Sequence, residues 1–366
     1  MNKFIEKSPN LFFIGFGLMG GSLCKSLRNR GYQGEIMVWD RNKQGVKQGI
    51  EEKVINYGTY SIKEGTKFAD IVILATPLHF FRGIISQLTE VLDKEILLLD
   101  LGSVKGKVAK DIEIYGNDKI NYIGLHPMTG SEKSGYNHAN PYLYDNAYCF
   151  VCPSKDVTSL DLECTLSFVE SFGAKPVIIS PQEHDEIVGT ISHLPHVLSS
   201  ALVHVLIQNN PWQKAPYIGG GFRDTTRIAQ SSPNMWVDIF LDNREDVLKG
   251  IDSFQNILEN IKEDIQNNRT QKIYNFLEEA RLWRSSLPKH RQGYYERGYI
   301  IFVSLPDKKG VLAEITTILK DIDIRELEIV HSRNREGALR LLFLTFEDQS
   351  KASSLLKNKG YQVEVL

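Results

Sequence analysis

Three glycines and one aspartate near the N-terminus have the spacing that binds a dinucleotide. Gly15, Gly17 and Gly20 follow a short apolar run, and Asp40 comes 20 residues after Gly20. The first glycine of this pattern permits a tight turn, the second lets a pyrophosphate approach, and the third lets helix and strand pack closely. The helix start holds the phosphates, and the carboxylate binds a ribose hydroxyl. We therefore expect a dinucleotide here.

The aspartate also favours NAD over NADP. A carboxylate accepts a hydrogen bond from the ribose 2′-hydroxyl and repels a 2′-phosphate. Arg41, the next residue, is the side chain that would neutralise such a phosphate. We predict NAD as the cofactor, with contacts from Gly15, Phe16, Gly17, Leu18, Met19, Gly20, Asp40, Arg41, Thr76 and Pro77.

Polar or sharply turning clusters follow several other apolar runs. They are residues 76–77, 102–105 and 126–130. In a parallel sheet, ligands bind beyond the carboxyl ends of the strands. We expect these clusters to line one site with the glycine turn.

The segments that position these residues alternate between short apolar runs and helix-length stretches up to about residue 180. Runs without polar alternation indicate strands buried on both faces. The predicted fold is α/β, with an N-terminal Rossmann-like parallel sheet in which the last two strands are open to antiparallel pairing. The predicted strands are residues 12–14, 36–39, 70–75, 96–101, 122–125, 147–151 and 176–179.

Residues 181–287 carry helical signals only. Ser180, Pro181 and Glu183 form a capping box with proline at the first helical position. This helix should run to about residue 208 with a kink near residues 193–196, because Pro195 removes a backbone hydrogen bond. Further helices are predicted at 233–267 and 271–287. The first of these carries an apolar stripe suited to a partner helix: Ile251, Phe254, Leu258, Ile261 and Ile265.

The C-terminal region reads as a separate small unit. Residues 287–293 are polar, basic and rich in breakers, which indicates a linker. Beyond it the order of elements is βαββαβ, a ferredoxin-like unit. We predict a dinucleotide-binding domain at 1–180, an all-α substrate and dimerisation domain at 181–290, and a regulatory domain at 298–366.

Composition narrows the partners. The net charge of −2 disfavours nucleic acid, which needs a basic surface. The sequence contains no run of about 18 apolar residues, so we predict no membrane span. Its N-terminus has no apolar run that would indicate a signal peptide. Four cysteines without a paired zinc motif indicate reduced thiols. We expect a cytoplasmic protein.

Five motifs together resemble the prephenate dehydrogenase family of tyrosine biosynthesis across nearly the whole chain. They are residues 15–22, 100–105, 126–135, 192–196 and 220–229. The C-terminal unit looks like an ACT domain, an amino-acid-sensing module. The resemblance implies an NAD-dependent oxidative decarboxylation: a hydride leaves the hydroxyl-bearing ring carbon of prephenate, carbon dioxide departs, and 4-hydroxyphenylpyruvate forms.

The resemblance also implies residue roles. His126 would be the catalytic base, since a neutral imidazole takes up a proton at cellular pH, and Ser103 would orient the reacting hydroxyl or His126. Arg227 would bind a substrate carboxylate through its planar fork. The remaining predicted pocket residues are Ser192, His193, His196, Glu132 and Trp236. We expect hydrogen-bond donors and no metal at His193 and His196, and structural or solvated positions for the other histidines, including His184.

Regulation and assembly are further expectations. The loop between the first strand and first helix of the ACT-like unit, with Asp307, Gly310 and Val311, is the expected site for a tyrosine effector. The apolar helical stripe predicts a homodimer that buries more than about 2,000 Å².

Three alternatives remain at this stage. Arogenate dehydrogenase oxidises the amino analogue of prephenate. β-Hydroxyacid dehydrogenases share the glycine turn but use a lysine where this chain has residues 192–196. A non-catalytic sensor of NAD and an amino acid is the third, and His126 and Arg227 argue against it.

Overall fold

The computed structural model describes residues 2–130, 133–287, 299–306, 308–331 and 337–365. The chain forms two compact units, residues 1–293 and 294–366. The predicted boundary at residue 180 lies inside the first unit, and the three-domain division stays a prediction.

An eight-stranded sheet organises the first unit. The strands are β1 (Leu11–Ile14), β2 (Ile36–Trp39), β3 (Tyr57–Gly58), β4 (Ile71–Leu74), β5 (Ile96–Asp100), β6 (Ile120–Pro127), β7 (Tyr148–Pro153) and β8 (Lys175–Ile178). Their order is β3-β2-β1-β4-β5-β6-β7-β8. The first six strands in this order, β3-β2-β1-β4-β5-β6, pair in parallel, and β7 is antiparallel to β6. The Rossmann-like sheet is confirmed.

Helices cover both faces of the sheet. They are α1 (Lys3–Lys7), α2 (Leu18–Asn29), α3 (Lys43–Glu51), α4 (Ile62–Phe68), α5 (Phe81–Val91), α6 (Gly106–Tyr115) and α7 (Ser159–Ser171). Successive residues of β1 enter opposite cores: Leu11 and Phe13 one, Phe12 and Ile14 the other. This two-sided burial explains why the strands lack polar alternation.

The helical part of the first unit begins at the predicted capping box, which is present at Ser180. Its elements are α8 (Pro181–Val188), a π-helical turn (Gly189–His193), α9 (Leu194–Gln208), α10 (Pro211–Lys214), α11 (Gly220–Thr226), α12 (Pro233–Asp242), α13 (Arg244–Gln266) and α14 (Thr270–Ser286). The irregularity predicted near residues 193–196 takes the form of the π-turn. It ends at His193, two residues before Pro195, which has no N–H for the carbonyl of Ile191.

The predicted continuous helix over 233–267 is wrong. Asn243 has φ −108° and ψ 37°, outside helical geometry, and separates α12 from α13. Its side chain is committed to other groups, described below, which is the physical reason for the break. The C-terminal helix of this region begins and ends within one residue of the predicted bounds.

Residues 181–208 also have the length and apolar composition of a membrane-crossing helix, and 17% of its most apolar window is buried in the unit. Asp185 and Glu186 interrupt the apolar run near its start, so the segment is not a continuous apolar span. Its buried face carries His184, His193 and His196.

The second unit has the predicted βαββαβ order. Its elements are β9 (Tyr299–Leu305), α15 (Val311–Ile318), β10 (Glu326–His331), β11 (Gly337–Phe343), α16 (Phe346–Asn358) and β12 (Val363–Val365). The antiparallel sheet has the order β10-β11-β9-β12. Its core includes Ile301, Val303, Leu339 and Leu341, beneath the helices.

Candidate active site

The glycine turn after β1 leaves no room for a side chain at Gly15 or Gly20 but is open at Gly17. Gly15 has φ +108°, and a Cβ there would lie 2.5 Å from the carbonyl carbon of Ala75. A Cβ at Gly20 would lie 2.5 Å from the carbonyl oxygen of Gly15. A Cβ at Gly17 would meet nothing within 4 Å, so the backbone is open there at the start of α2. This opening fits a pyrophosphate.

A cleft of about 390 Å³ adjoins this turn. Asp40, at the end of β2, accepts hydrogen bonds from the N–H groups of Phe16 and Asn42, each at 2.6 Å. The guanidinium of Arg41 lies 4.4 Å from the ring centroid of Phe80. The hydroxyl of Thr76 is buried without a hydrogen-bond partner among the described residues, which a bound nucleotide would supply. The cleft is lined by Gly15, Gly17, Asp40, Arg41, Thr76, Pro77 and Phe80, among others.

The other predicted cofactor residues serve this turn through their backbone or packing. Phe16 stacks on Tyr136, with ring centroids 4.4 Å apart. The carbonyl of Met19 accepts a hydrogen bond from the Tyr144 hydroxyl at 2.8 Å. Leu18 is the first residue of α2.

His126 lies inside β6, one residue before its end, rather than after the strand. It pairs in the sheet with Phe150 of the antiparallel β7. Its Nδ1 lies 2.7 Å from Nε2 of His184, and Nδ1 of His184 lies 2.7 Å from Oδ1 of Asp185. The structure therefore brings together His126 and two residues to which the sequence analysis assigns no role.

These histidines are kept neutral. Burial, followed by the neighbouring His184 ring and the Lys105 ammonium, holds the pKa of His126 well below its ordinary value. Burial lowers the pKa of His184 to about 2 and that of His193 to about 4. Burial raises the pKa of Asp185, although N–H groups of Lys105 and Gly106 donate to its carboxylate. A neutral imidazole can act as a base.

A buried ion pair supports the loop after β5. The ammonium of Lys105 contacts Oδ1 of Asp100, and both side chains are fully buried. The Tyr122 hydroxyl donates to Oδ2 of Asp100 at 2.7 Å. Ser103 lies partly buried on this loop, and its side chain makes no hydrogen bond to His126 among the described residues. The predicted interaction of Ser103 stays a prediction.

A second group of side chains lies around the π-turn. Asn243 Nδ2 lies 3.0 Å from Nδ1 of His193 and donates to the carbonyl of Asp185 at 2.8 Å. His196 lies flat on Trp236, with ring centroids 3.7 Å apart and 7° between the planes. Ser192 is partly buried in the π-turn itself.

Several polar atoms of this group are buried and lack partners among the described residues. They are Nδ1 of His196, Oγ of Ser199 and Nε1 of Trp236. An unpaired buried polar group costs about 1–3 kcal/mol, so a polar ligand would gain from meeting them. Ser199 is absent from the predicted site, although its place three residues after His196, on the same helix face, is a usable signal.

Arg227 is solvent-exposed at the start of a 3-10 turn, Arg227–Gln230. Among the described residues it forms no ion pair with Asp224 or any other acid, which leaves its guanidinium available for a ligand. Glu132 lies outside the described residues.

A glycine turn at the switch point of a mainly parallel sheet, a nucleotide cleft and a neutral histidine at the same carboxyl edge define a dinucleotide-dependent dehydrogenase. Residues 23–178 match the family model of the prephenate dehydrogenase nucleotide-binding domain, and residues 180–279 match that of its dimerization domain. The chain belongs to the prephenate dehydrogenase family. It is an oxidoreductase that uses NAD.

Curated relatives extend over both units. The chain is 30% identical to prephenate dehydrogenase of Bacillus subtilis over 97% of each chain, and 31% identical to that of Lactococcus lactis subsp. cremoris over 95% of this chain and 97% of the relative. A solved prephenate dehydrogenase of Aquifex aeolicus, in complex with hydroxyphenyl propionate and NAD⁺, is 36% identical. It covers 76% of this chain and 98% of its own, with a TM-score of 0.72.

Proposed function

We propose that this enzyme converts prephenate to 4-hydroxyphenylpyruvate in the cytoplasm, as a step of tyrosine biosynthesis. The proposal is carried by His126, a neutral and hydrogen-bonded side chain at the carboxyl edge of the sheet, where the nucleotide cleft also lies. We assign dinucleotide binding to residues 1–180, substrate binding and dimerisation to 181–290, and regulation to 298–366.

The residues divide the chemistry between them. Nε2 of His126 takes the proton of the ring hydroxyl, with Ser103 orienting that group. Held in the cleft beside Gly17 and Asp40, NAD would supply the acceptor for the hydride of the carbon that bears the hydroxyl. The C–O bond becomes a carbonyl and the ring carboxylate leaves as carbon dioxide. Its bonding electrons make the ring aromatic, and the former carbonyl oxygen takes back the proton held by His126 to give the phenol. A base of this kind contributes roughly 10²- to 10⁴-fold in rate.

The two carboxylates of prephenate need cations or donors. Arg227 offers a bidentate fork without a competing ion pair among the described residues. The unpaired atoms of His196 and Trp236 offer hydrogen-bonding groups. Ser192, His193 and Glu132 complete the proposed pocket.

The helical region has many large apolar side chains that are exposed in a single copy of the chain. Its exposed residues include Leu202, Val205, Leu248, Ile257, Leu258, Ile265, Phe276, Leu277, Leu282 and Trp283. Part of the predicted stripe, Leu258 and Ile265, belongs to this surface. These exposed apolar side chains fit burial in an obligate homodimer interface, for which we expect more than about 2,000 Å². Sedimentation at micromolar concentration would test this proposal.

The second unit is proposed to be an ACT domain that binds tyrosine and slows the enzyme. Gly310 has φ +83° and precedes α15, which begins at Val311. A Cβ at Gly310 would meet nothing within 4 Å, so a ligand can approach the backbone there. Asp307 lies outside the described residues.

The rate of NADH formation from prephenate and from arogenate, measured on the same enzyme, tests the proposed activity. We expect a higher kcat/KM with prephenate. A higher value with arogenate would make the enzyme an arogenate dehydrogenase, and no NADH from either substrate would contradict the proposal.

A further inference from the structure

We propose that His184 and Asp185 are positioning residues that fix the tautomer of His126. In this arrangement Nδ1 of His126 carries the proton and Nε2 presents a lone pair. The inference deepens the proposed function, because it rests on His126 as the base that removes the hydroxyl proton. It is carried by three consecutive hydrogen bonds whose directions can be derived from one end.

The chain of hydrogen bonds is anchored at Asp185. Its Oδ1 accepts the N–H of Lys105 and its Oδ2 accepts the N–H of Gly106, each at 2.8 Å. These donors belong to the start of α6, where free N–H groups favour a negative charge. Two backbone N–H donors, one on each oxygen, stabilise the ionised carboxylate. We therefore assign Asp185 as an acceptor at both oxygens.

The direction of the next two bonds follows. Nδ1 of His184 lies 2.7 Å from Oδ1 of Asp185, so it must carry the proton and donate. A neutral imidazole has one N–H, so Nε2 of His184 is an acceptor. Nδ1 of His126, 2.7 Å from that atom, must then be an N–H. The single remaining nitrogen of a neutral His126, Nε2, has a free lone pair.

The surroundings prevent the alternative in which His184 is doubly protonated. His184 is fully buried, and its ring stands edge-on to Phe150 at a centroid distance of 5.5 Å. The Lys105 ammonium, although paired with Asp100, disfavours a second positive charge on either imidazole. The Asp185 carboxylate is in direct contact with His184, and of the two ring nitrogens it meets Nδ1.

The position of Asp185 is itself held from a second element. Asn243 donates from Nδ2 to the Asp185 carbonyl at 2.8 Å. The α8 backbone at Asp185 is thus tied to the break between α12 and α13, while its side chain is tied to the start of α6. Reversal of the two histidine tautomers would leave Nε2–H of His126 as a donor, which cannot accept the hydroxyl proton.

Four variants separate this role from simple packing. Asp185→Asn places an amide N–H₂ where the structure needs an acceptor. His184→Phe removes both ring nitrogens. His184→Gln is the conservative variant, because its amide oxygen can accept from His126 and its amide nitrogen can donate to Asp185. Glu186→Gln is the matched control, since Glu186 is the exposed neighbour on the same helix.

Two measurements are made on each full-length variant. Long-range ¹H–¹⁵N NMR of histidine-labelled enzyme reports which ring nitrogen of His126 is protonated, with the signal assigned by its loss in His126→Asn. NADH formation from prephenate gives kcat. We expect Nδ1–H in the wild type, a changed tautomer with kcat at least about 10²-fold lower in Asp185→Asn and His184→Phe, and kcat at least about tenfold higher in His184→Gln than in His184→Phe.

The inference is overturned if wild-type His126 carries its proton on Nε2. It is also overturned if Asp185→Asn and His184→Phe both keep the wild-type tautomer and kcat. If His184→Phe fails to fold, Asp185→Asn and His184→Gln decide by the same readings. Near-normal kcat in His126→Asn would remove the proposed base, yet the NMR result would still stand as a separate test of the tautomer.

Discussion

The carboxylate of Asp40 accepts a hydrogen bond from the backbone N–H of Phe16 at 2.6 Å. This bond ties the end of β2 to the glycine turn that follows β1. The same carboxylate lines the nucleotide cleft, so one side chain both braces the turn and presents a negative charge to the cofactor.

Asp40→Asn should weaken the preference for NAD over NADP. The amide oxygen can still accept from Phe16, whereas the charge that repels a 2′-phosphate is gone. We expect the ratio of kcat/KM values to fall at least about tenfold, equivalent to about 1.4 kcal/mol. Asp70→Asn is the control, because Asp70 accepts the Asn10 N–H at 2.8 Å and is not a lining residue of the cleft. An unchanged ratio in Asp40→Asn would contradict the assignment.

His126→Asn should lower kcat by about 10²-fold or more without weakening NAD binding, because the base is lost while the nucleotide cleft is intact. Steady-state kinetics and NAD titration measure the two effects. His138→Asn, at an exposed histidine, should leave both unchanged. Near-normal kcat in His126→Asn would exclude it as the base.

Arg227→Ala should raise KM for prephenate about tenfold or more, with a smaller effect on kcat. A hydrogen bond to a charged group contributes about 1.5–3 kcal/mol. Arg223→Ala removes an exposed guanidinium one turn earlier and should leave KM unchanged. Equal KM values in the two variants would show that Arg227 does not bind the substrate.

The free energy of unfolding should fall as the pH drops below about 6.5. The folded state keeps His184 and His193 neutral, with pKa values near 2 and 4 against an ordinary 6.5. The unfolded chain therefore binds more protons below that pH, and stability is lost by up to about 1.4 kcal/mol per pH unit for each histidine. Urea unfolding between about pH 7.5 and pH 5 measures the slope, which should be shallower in His184→Gln. A slope of zero would contradict these shifts.

Removal of residues 293–366 should preserve catalysis and abolish inhibition by tyrosine. All proposed catalytic and substrate residues lie in the first unit, and tenfold inhibition needs only about 1.4 kcal/mol of differential binding. In the intact chain, Gly310→Ala should lower tyrosine sensitivity. Gly360→Ala is the matched control, since Gly360 has φ +88° and equally open space at its Cβ. A truncated enzyme that stays tyrosine-sensitive would place inhibition at the active site.

Local patterns predicted much of the fold. The glycine turn, the two-sided apolar strands and the capping box at Ser180 each depend on neighbouring residues, and each is present. Strand β3 escaped prediction because Tyr57 and Gly58 are exposed and form no apolar run.

The interior of the site depends on distant partners. His184 meets His126 across 58 residues of sequence, and Asn243 meets His193 across 50. No periodicity indicates such contacts, because they follow from how α8 and the α12–α13 break pack against the sheet and the π-turn. The consecutive polar pair His184-Asp185, in the first two turns of a firmly capped helix, was the available signal.

Asn243, at the break between α12 and α13, combines a structural role and a positioning role in one side chain. Its amide ends a helix, holds the backbone of Asp185 and contacts His193. A substitution that restored helix continuity would remove the contacts to Asp185 and His193 at the same time. A gain in helix stability would therefore come together with a loss of activity. We therefore expect substitutions at Asn243 to be tolerated poorly, even where substitutions on the surrounding helix surface are tolerated.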